Sequence, residues 1–150
     1  MKKILFTYFS FLLFVSISQG QNGIITVKSS HNVQATTDSL VRVLNSKGMT
    51  VFARIDHAKG AKSVGKELRP TQLVIFGNPK IGTVLMQCNQ EVGIDLPQKM
   101  LIWQDAKDQT WISYNNPDYL VNRHHLKECN GKIIANIKSA LKKFAEAAAK

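Results

Sequence analysis

Histidine and arginine side chains at the ends of predicted strands are the residues of this chain best placed to do chemistry. His57 closes an extended segment, residues 50–57, whose alternation sets it in the row of Val51, Ala53 and Ile55. Because histidine titrates near neutrality, it can serve there as a base, an acid or a ligand. A hydrogen-bonded core histidine is the more common case, and the sequence leaves both interpretations open.

Arg69 is the second candidate, because it precedes Pro70 at the entry to a buried strand. A guanidinium group beside a core strand needs a fixed partner, which is either an anionic ligand or a carboxylate of the protein. The carboxylates that could pair with it are Asp56, Glu67 and Asp95. An internal ion pair is favoured over a bound anion.

The loop GNPKIG, residues 77–82, joins that strand to a helix whose N-terminus would offer free N–H groups to an anion. It lacks the glycine spacing and the Gly-Lys-Ser/Thr ending of phosphate-binding loops, so ordinary capping by Asn78 before Pro79 is favoured. If the polar side chains of this loop, the strand ends and two later motifs converge, they would line one ligand pocket. The candidate ligand-binding residues are His57, Arg69, Asn78, Tyr114 and His124.

Metal binding and nucleophilic catalysis lack a sequence signature. The chain contains no C-x-x-C, H-E-x-x-H or G-x-S-x-G motif, so neither a metal site nor a catalytic residue is predicted. Handling of Cu(I) or Zn²⁺ stays an alternative if the soft and imidazole ligands fold together. Those ligands are His31, His57, Met86, Cys88, Met100, His124, His125 and Cys129.

Cys88 and Cys129 are the only cysteines. In an oxidising compartment they could form one disulfide, which would close a loop of about 40 residues and add roughly 4 kcal/mol in the chain-entropy model. The sequence does not show whether their Cα atoms approach closely enough, so two separately buried thiols stay the alternative.

Residues 1–20 resemble a secretory signal peptide. Lys2 and Lys3 precede an apolar run over residues 4–17 that is too short to span a bilayer, and small residues at Ser18 and Gly20 suit cleavage after Gly20. We therefore expect a periplasmic or extracellular domain, residues 21–150, with no stable membrane span. Its charge would be +8, since two lysines are lost from a chain of +10. Export argues against nucleic acid as the partner, although a positive domain attracts other anions.

Hydrophobic patterns predict strands and helices in a recognisable order. A β-branched strand over residues 23–27 is followed by a helix capped by Asn32, and a second long helix follows Asn130. The continuously apolar residues 73–76 are typical of a strand covered on both faces, and residues 100–103 and 110–114 predict a hairpin whose aromatic residues belong to the core. The alanine-rich residues 145–150 are expected to fray. Two amphipathic helices against a largely antiparallel sheet predict an α+β domain.

Four separated motifs resemble the bacterial domain of unknown function 302 family. They are FARIDH over residues 52–57, LRPTQLVIFGNPKIGTVLMQ over 68–87, DLPQKMLIWQD over 95–105 and WISYNNPDYLVNRHHL over 111–126. The resemblance implies a TATA-binding-protein-like β-α-β4-α fold, often a homodimer, and it brings no established reaction.

Three hypotheses of function follow. The leading one is an exported, non-catalytic domain whose cavity between sheet and helices holds a small molecule, with an anion as the candidate class, because arginine and histidine stand without a reaction signature. The second is an enzyme of the cell envelope with His57 as base and Arg69 orienting an anionic substrate. The third is a periplasmic metal-handling protein.

Overall fold

The fold is seen in a computed structural model that describes residues 17–19, 23–126 and 131–150. Strand β2, helix α1, strands β3 to β6 and helix α5 follow one another along the chain, which confirms the predicted β-α-β4-α order. The strands are β1 (Ile17–Gln19), β2 (Ile24–Lys28), β3 (Thr50–Asp56), β4 (Thr71–Gly77), β5 (Gln98–Gln104) and β6 (Thr110–Asn115). The helices are α1 (Val33–Ser46), α2 (His57–Ser63), α3 (Pro79–Cys88), α4 (Pro117–Arg123) and α5 (Gly131–Ala148), with a 3₁₀ helix at Gln90–Ile94.

All six strands form one antiparallel sheet in the order β1-β2-β6-β5-β4-β3. Helix α1 carries the chain from β2, near one edge of the sheet, to β3 at the other edge. Strand β1 lies inside the segment interpreted as a signal peptide, so cleavage after Gly20 would remove it and leave the five strands between Ile24 and Asn115. The signal peptide stays a prediction.

The hydrophobic core lies between one face of the sheet and helices α1 and α5. In β4, Gln72, Val74 and Phe76 are buried while Leu73 and Ile75 are half-buried, so this strand is covered fully on one face rather than on both. The alternation arises because successive side chains of a strand point to opposite faces. The buried apolar residues shared by the sheet and the two helices include Val27, Leu40, Leu44, Val74, Met100, Ile102, Ile112, Ile137, Leu141 and Phe144.

The other face of the sheet, which we call the open face, is apolar and half-exposed. Trp103 lies directly opposite Trp111, and Leu73 lies opposite Leu101, with all four side chains only partly buried. The Trp111 indole N–H donates to Asp105 Oδ2 at 2.8 Å, and this hydrogen bond is the main cause that lowers the pKa of Asp105. The two tryptophans therefore lie outside the core in which the sequence analysis places them.

The helix ends follow the predicted capping chemistry where the structure describes them. Asn32 accepts a hydrogen bond from the Ala35 N–H at 2.9 Å, and Asn78 accepts one from the Lys80 N–H at 3.0 Å with Pro79 in the first turn of α3. The predicted cap of α5, Asn130, lies outside the described residues. No helix in the described part of the chain is both long and apolar enough to cross a membrane.

The alanine-rich end of the chain does not fray. Ala148 is fully buried and Ala149 is 7% exposed. The Ser30 N–H donates to the Ala149 main-chain oxygen at 3.0 Å, which ties the end of α5 to the turn between β2 and α1. Small side chains are needed here because the helix end packs closely against that turn.

Candidate functional site

The five candidate ligand-binding residues lie in four separate parts of the structure. Arg69 precedes β4 and Asn78 follows it, so the length of a seven-residue strand, about 20 Å, separates them. His57 begins α2 at the same end of the sheet as Arg69. The structure therefore brings His57 and Arg69 to one end and does not join them to the other three.

Arg69 is exposed and has a main-chain partner. Its Nε donates to the Gln104 carbonyl oxygen at 3.2 Å, in place of the carboxylate that the sequence analysis favours. Arg69 lines an open groove together with Asp56 and Ala58, the two neighbours of His57. His57 itself is exposed, so the apolar-facing position predicted for it is not what the structure shows. The bulge between Val51 and Ala53 separates Val51 from the row of Ala53 and Ile55, and His57 begins α2 beyond the end of this edge strand.

His124 is buried at the C-terminal end of α4, where only 5% of its side chain is exposed. Its Nε2 lies 2.6 Å from Asp95 Oδ2, and Asp95 Oδ1 accepts a hydrogen bond from Arg123 at 3.4 Å. Arg123 also donates to the Tyr119 hydroxyl at 2.7 Å. The Asp95 carboxylate therefore fastens α4 to the segment that leads into β5.

Tyr114 belongs to the core. Its position on β6 pairs with Ile25 on one side and Met100 on the other, both buried on the helix-covered face. Burial, with a smaller contribution from Glu146, raises the pKa of Tyr114 to about 12.

This shift predicts a loss of stability at high pH that depends on one hydroxyl. In the unfolded chain Tyr114 ionises near pH 10, whereas in the folded protein it stays protonated to a higher pH. Above pH 10, ionisation therefore stabilises the unfolded state relative to the folded state. The contribution of the protonated Tyr114 hydroxyl to the free energy of unfolding is therefore complete below pH 10 and is lost as the pH rises towards 12. Tyr114→Phe should remove a fall of roughly 2 kcal/mol in the free energy of unfolding over this range, measured by urea denaturation. Parallel curves for Tyr114→Phe and the unsubstituted protein would contradict the assignment.

A cavity of about 230 Å³ lies between α3, α5 and the ends of β4 and β5. Asn78 is the only one of the five candidates among the residues that line it. Its walls are mainly apolar and include Phe52, Phe76, Leu85, Leu96, Leu141 and Phe144. The polar side chains are those of Asn78, Thr83 and Gln98, and no charged side chain is among the lining residues.

Gln98 is the polar group that distinguishes this cavity. Its Nε2 is buried and makes no hydrogen bond in the described structure. An unsatisfied buried amide costs about 1–3 kcal/mol, so this group has an unused capacity to donate to a bound molecule.

Gln98 is not among the candidates that the sequence suggested, although the sequence contains a signal for it. Gln98 shares the two-residue period of Met100 and Ile102, whose side chains are fully buried in the core face of β5. An amide in an otherwise apolar row must be paired, solvated or available to a ligand. Phe52 and Phe76 give no comparable signal, because an aromatic side chain in a strand is ordinary.

The disulfide and the metal-binding alternative both involve Cys129, which lies outside the described residues. Cys88 ends α3, but Cys129 lies outside those residues, so their disulfide stays a prediction. Within the described ranges, no group of three or more histidine, cysteine, aspartate or glutamate side chains is arranged to hold a metal ion.

Comparison with known families and structures agrees with this architecture. Residues 25–144 match the family model described as "Domain of unknown function DUF302". The fold is similar to the crystal structure of an uncharacterized conserved DUF302 protein from Bacillus stearothermophilus, with a TM-score of 0.76 and 22% sequence identity. The similarity covers 85% of this chain and 98% of that one, and it supports the fold alone.

Curated relatives match over a shorter share of their own length. The chain is 46% identical over 105 residues to the fluoride-specific ion channel FluC 1 of Brucella suis, a match that covers 70% of this chain and 41% of that protein. FluC 2 of Brucella melitensis matches with the same identity over 39% of its length. The chain thus spans about two fifths of these relatives.

Proposed function

The chain belongs to the DUF302 family, a domain of unknown function, and we propose that this domain binds a small, largely apolar molecule in the cavity between its sheet and helices α3 and α5. The observation that carries the proposal is the buried Gln98 Nε2, which has no hydrogen-bond partner and belongs to the lining of that cavity. A bound acceptor oxygen would relieve the cost of this unsatisfied donor.

The size and walls of the cavity narrow the class of ligand. An apolar cavity of about 150 Å³ is enough to bind benzene, and this one measures about 230 Å³. A substituted aromatic ring or a short acyl chain would therefore fit. Since the lining residues carry no charged side chain, an anion would lose its hydration without compensation, which favours a neutral ligand over an anionic one.

Acetophenone and isopropylbenzene form a matched pair of probes for this cavity, because they have similar shapes and only acetophenone carries an acceptor oxygen. We expect Gln98→Leu to lower the affinity for acetophenone about fivefold relative to the affinity for isopropylbenzene, as one hydrogen bond contributes about 1 kcal/mol. The apo form of Gln98→Leu should be at least as stable as the unsubstituted protein. Titration followed by NMR chemical shifts measures both affinities.

Two variants control this experiment. Gln104→Leu changes the same residue type at the other end of β5 and should leave both affinities unchanged. Gly82→Leu should block both probes, because a Cβ at this cavity-lining position of α3 would lie 3.8 Å from Leu96 Cδ1, an ordinary contact that directs a longer side chain towards the cavity. Undiminished binding by Gly82→Leu would place the probes elsewhere and sink the proposal.

Export, a homodimer and the two alternative functions stay predictions. Export rests on the signal-like residues 1–20 alone. The expectation of a homodimer rests on the family resemblance. The open face is an apolar surface that a second copy of the chain would cover. The enzyme and metal-handling alternatives stay predictions; His57 and Arg69 are both exposed at one end of the sheet, away from the cavity.

A further inference from the structure

We propose that a basic and apolar patch at the end of the sheet docks the domain onto an anionic lipid surface. We call this the α2 patch, and it consists of Lys59, Lys62, Val64, Lys66, Leu68 and Arg69, in helix α2 and the segment that leads from it to β4. It is distinct from the ligand cavity, with which it shares no residue.

The cations of the α2 patch are concentrated on one groove. Lys59, Lys62, Lys66 and Arg69 all line it, against the two carboxylates of Asp56 and Glu67. Asp56 is already engaged, since its Oδ1 accepts the Lys59 main-chain N–H at 2.8 Å as the cap of α2. In the described structure no ion pair joins any of the four cations to a carboxylate. Their charge is therefore directed to the surroundings.

Large apolar side chains stand exposed among these cations. Val64 is 72% exposed and Leu68 is 50% exposed. Leu68 lines the same groove as the cations, and Val64 lies between Lys62 and Lys66 in the chain. Exposing such side chains has a cost in water that insertion among lipid acyl chains would recover.

The combination favours a bilayer over a soluble acidic polymer. A polyanion would pair with the lysines but would give Val64 and Leu68 no apolar environment. An anionic membrane offers both, because its headgroups attract lysine and arginine while the interface accepts short apolar side chains. The positive charge of the chain, +10 in total, adds a general attraction of the same sign.

Co-sedimentation with lipid vesicles tests the proposal, with the protein purified from the cell that produces it. We expect binding to vesicles made of equal parts phosphatidylcholine and phosphatidylglycerol, and little binding to phosphatidylcholine alone. Lys62→Gln with Lys66→Gln should weaken partitioning to the anionic vesicles about 30-fold, since each lysine near such a surface contributes about 1 kcal/mol. Binding should also weaken when salt shortens the Debye length from about 10 Å to about 3 Å.

Matched variants separate the patch from net charge and from general stickiness. Lys132→Gln with Lys143→Gln removes the same charge from exposed positions of α5 and should change partitioning much less. Val64→Ser should weaken it about fivefold through lost insertion. Ile94→Ser removes an equally exposed side chain, 72% in both cases, from another part of the surface and should have no effect. All variants share the same amino-terminal segment, so differences among them report the patch.

Three results would overturn the proposal. One is equal partitioning to anionic and neutral vesicles. Another is an equal loss in the α2-patch and α5 lysine variants, which would reduce the effect to net charge. The third is unchanged partitioning in Val64→Ser together with tight binding to soluble polyaspartate, which would identify the partner as an acidic polymer.

Discussion

Phe76→Ala should lower the free energy of unfolding by about 4 kcal/mol, whereas Phe52→Ala should lower it by less than about 1 kcal/mol. Both rings line the cavity, but Phe76 is 1% exposed and Phe52 is 52% exposed. Phe76 also meets Phe144 edge to face, with ring centroids 6.2 Å apart and an interplanar angle of 72°. Its removal therefore costs both transfer energy and an aromatic contact between the sheet and α5.

Urea denaturation of the two variants measures this difference. The pair is informative because both substitutions delete the same atoms beside the same cavity, so burial is the main difference between them. Similar losses of stability in Phe76→Ala and Phe52→Ala would contradict the assignment of Phe76, and not Phe52, to the core.

Asp95→Ala should lower the free energy of unfolding by about 3 kcal/mol, the second large effect. The substitution leaves the nearly buried His124 imidazole without its partner at 2.6 Å and releases Arg123 as well. Asp95→Asn should cost much less, because its side-chain oxygen can still accept a hydrogen bond from Nε2 of His124. Chemical denaturation of both variants distinguishes the hydrogen bond from the charge.

Asp118→Ala supplies the matched control for Asp95. Asp118 pairs with Lys138 on the surface, where their side chains are 51% and 46% exposed, in contrast to 13% for Asp95. Exposed ion pairs contribute at most about 1 kcal/mol. Equal losses for the two aspartates would mean that the burial of the Asp95 and His124 pair adds nothing to stability.

Periodicity and capping predicted the helices and strands well because both depend on neighbours in the sequence, whereas the topology was predicted from the family resemblance. Asn32 and Asn78 cap the helices expected of them, and the β-α-β4-α order is confirmed. The choice of buried face was harder. Residues 73–76 are all apolar, so their sequence cannot show that Leu73 and Ile75 belong to the open face.

The candidate site was harder to predict because the pairing and register of the strands decide whether side chains from distant parts of the sequence come together. In the sequence, Tyr114 is a polar residue that could contact a ligand. Its pairing with Ile25 and Met100, however, directs its side chain into the core. One separation was accessible in advance: Arg69 and Asn78 flank the same strand, and an extended strand holds its ends apart. Gln98 was also accessible, through its position in the apolar row of β5.

The alanine-rich end illustrates a second limit of reasoning from composition. Alanines at the end of a helix suggest weak packing when no partner is known. Here Ala145 and Ala148 are fully buried because a close approach to other segments leaves no room for larger side chains.

The place of β2 in the sheet has a consequence for the order in which the chain can fold. Strands β3 to β6 are consecutive in the chain and neighbours in the sheet, so they can pair as soon as each is synthesised. Strand β2 must wait for β6, since the pair Thr26 and Ser113 is separated by 87 residues. Contacts of such separation form slowly because the intervening loop must first lose its entropy. We expect β2 and α1, although they precede β3 to β6 in the chain, to take their places after those four strands have paired.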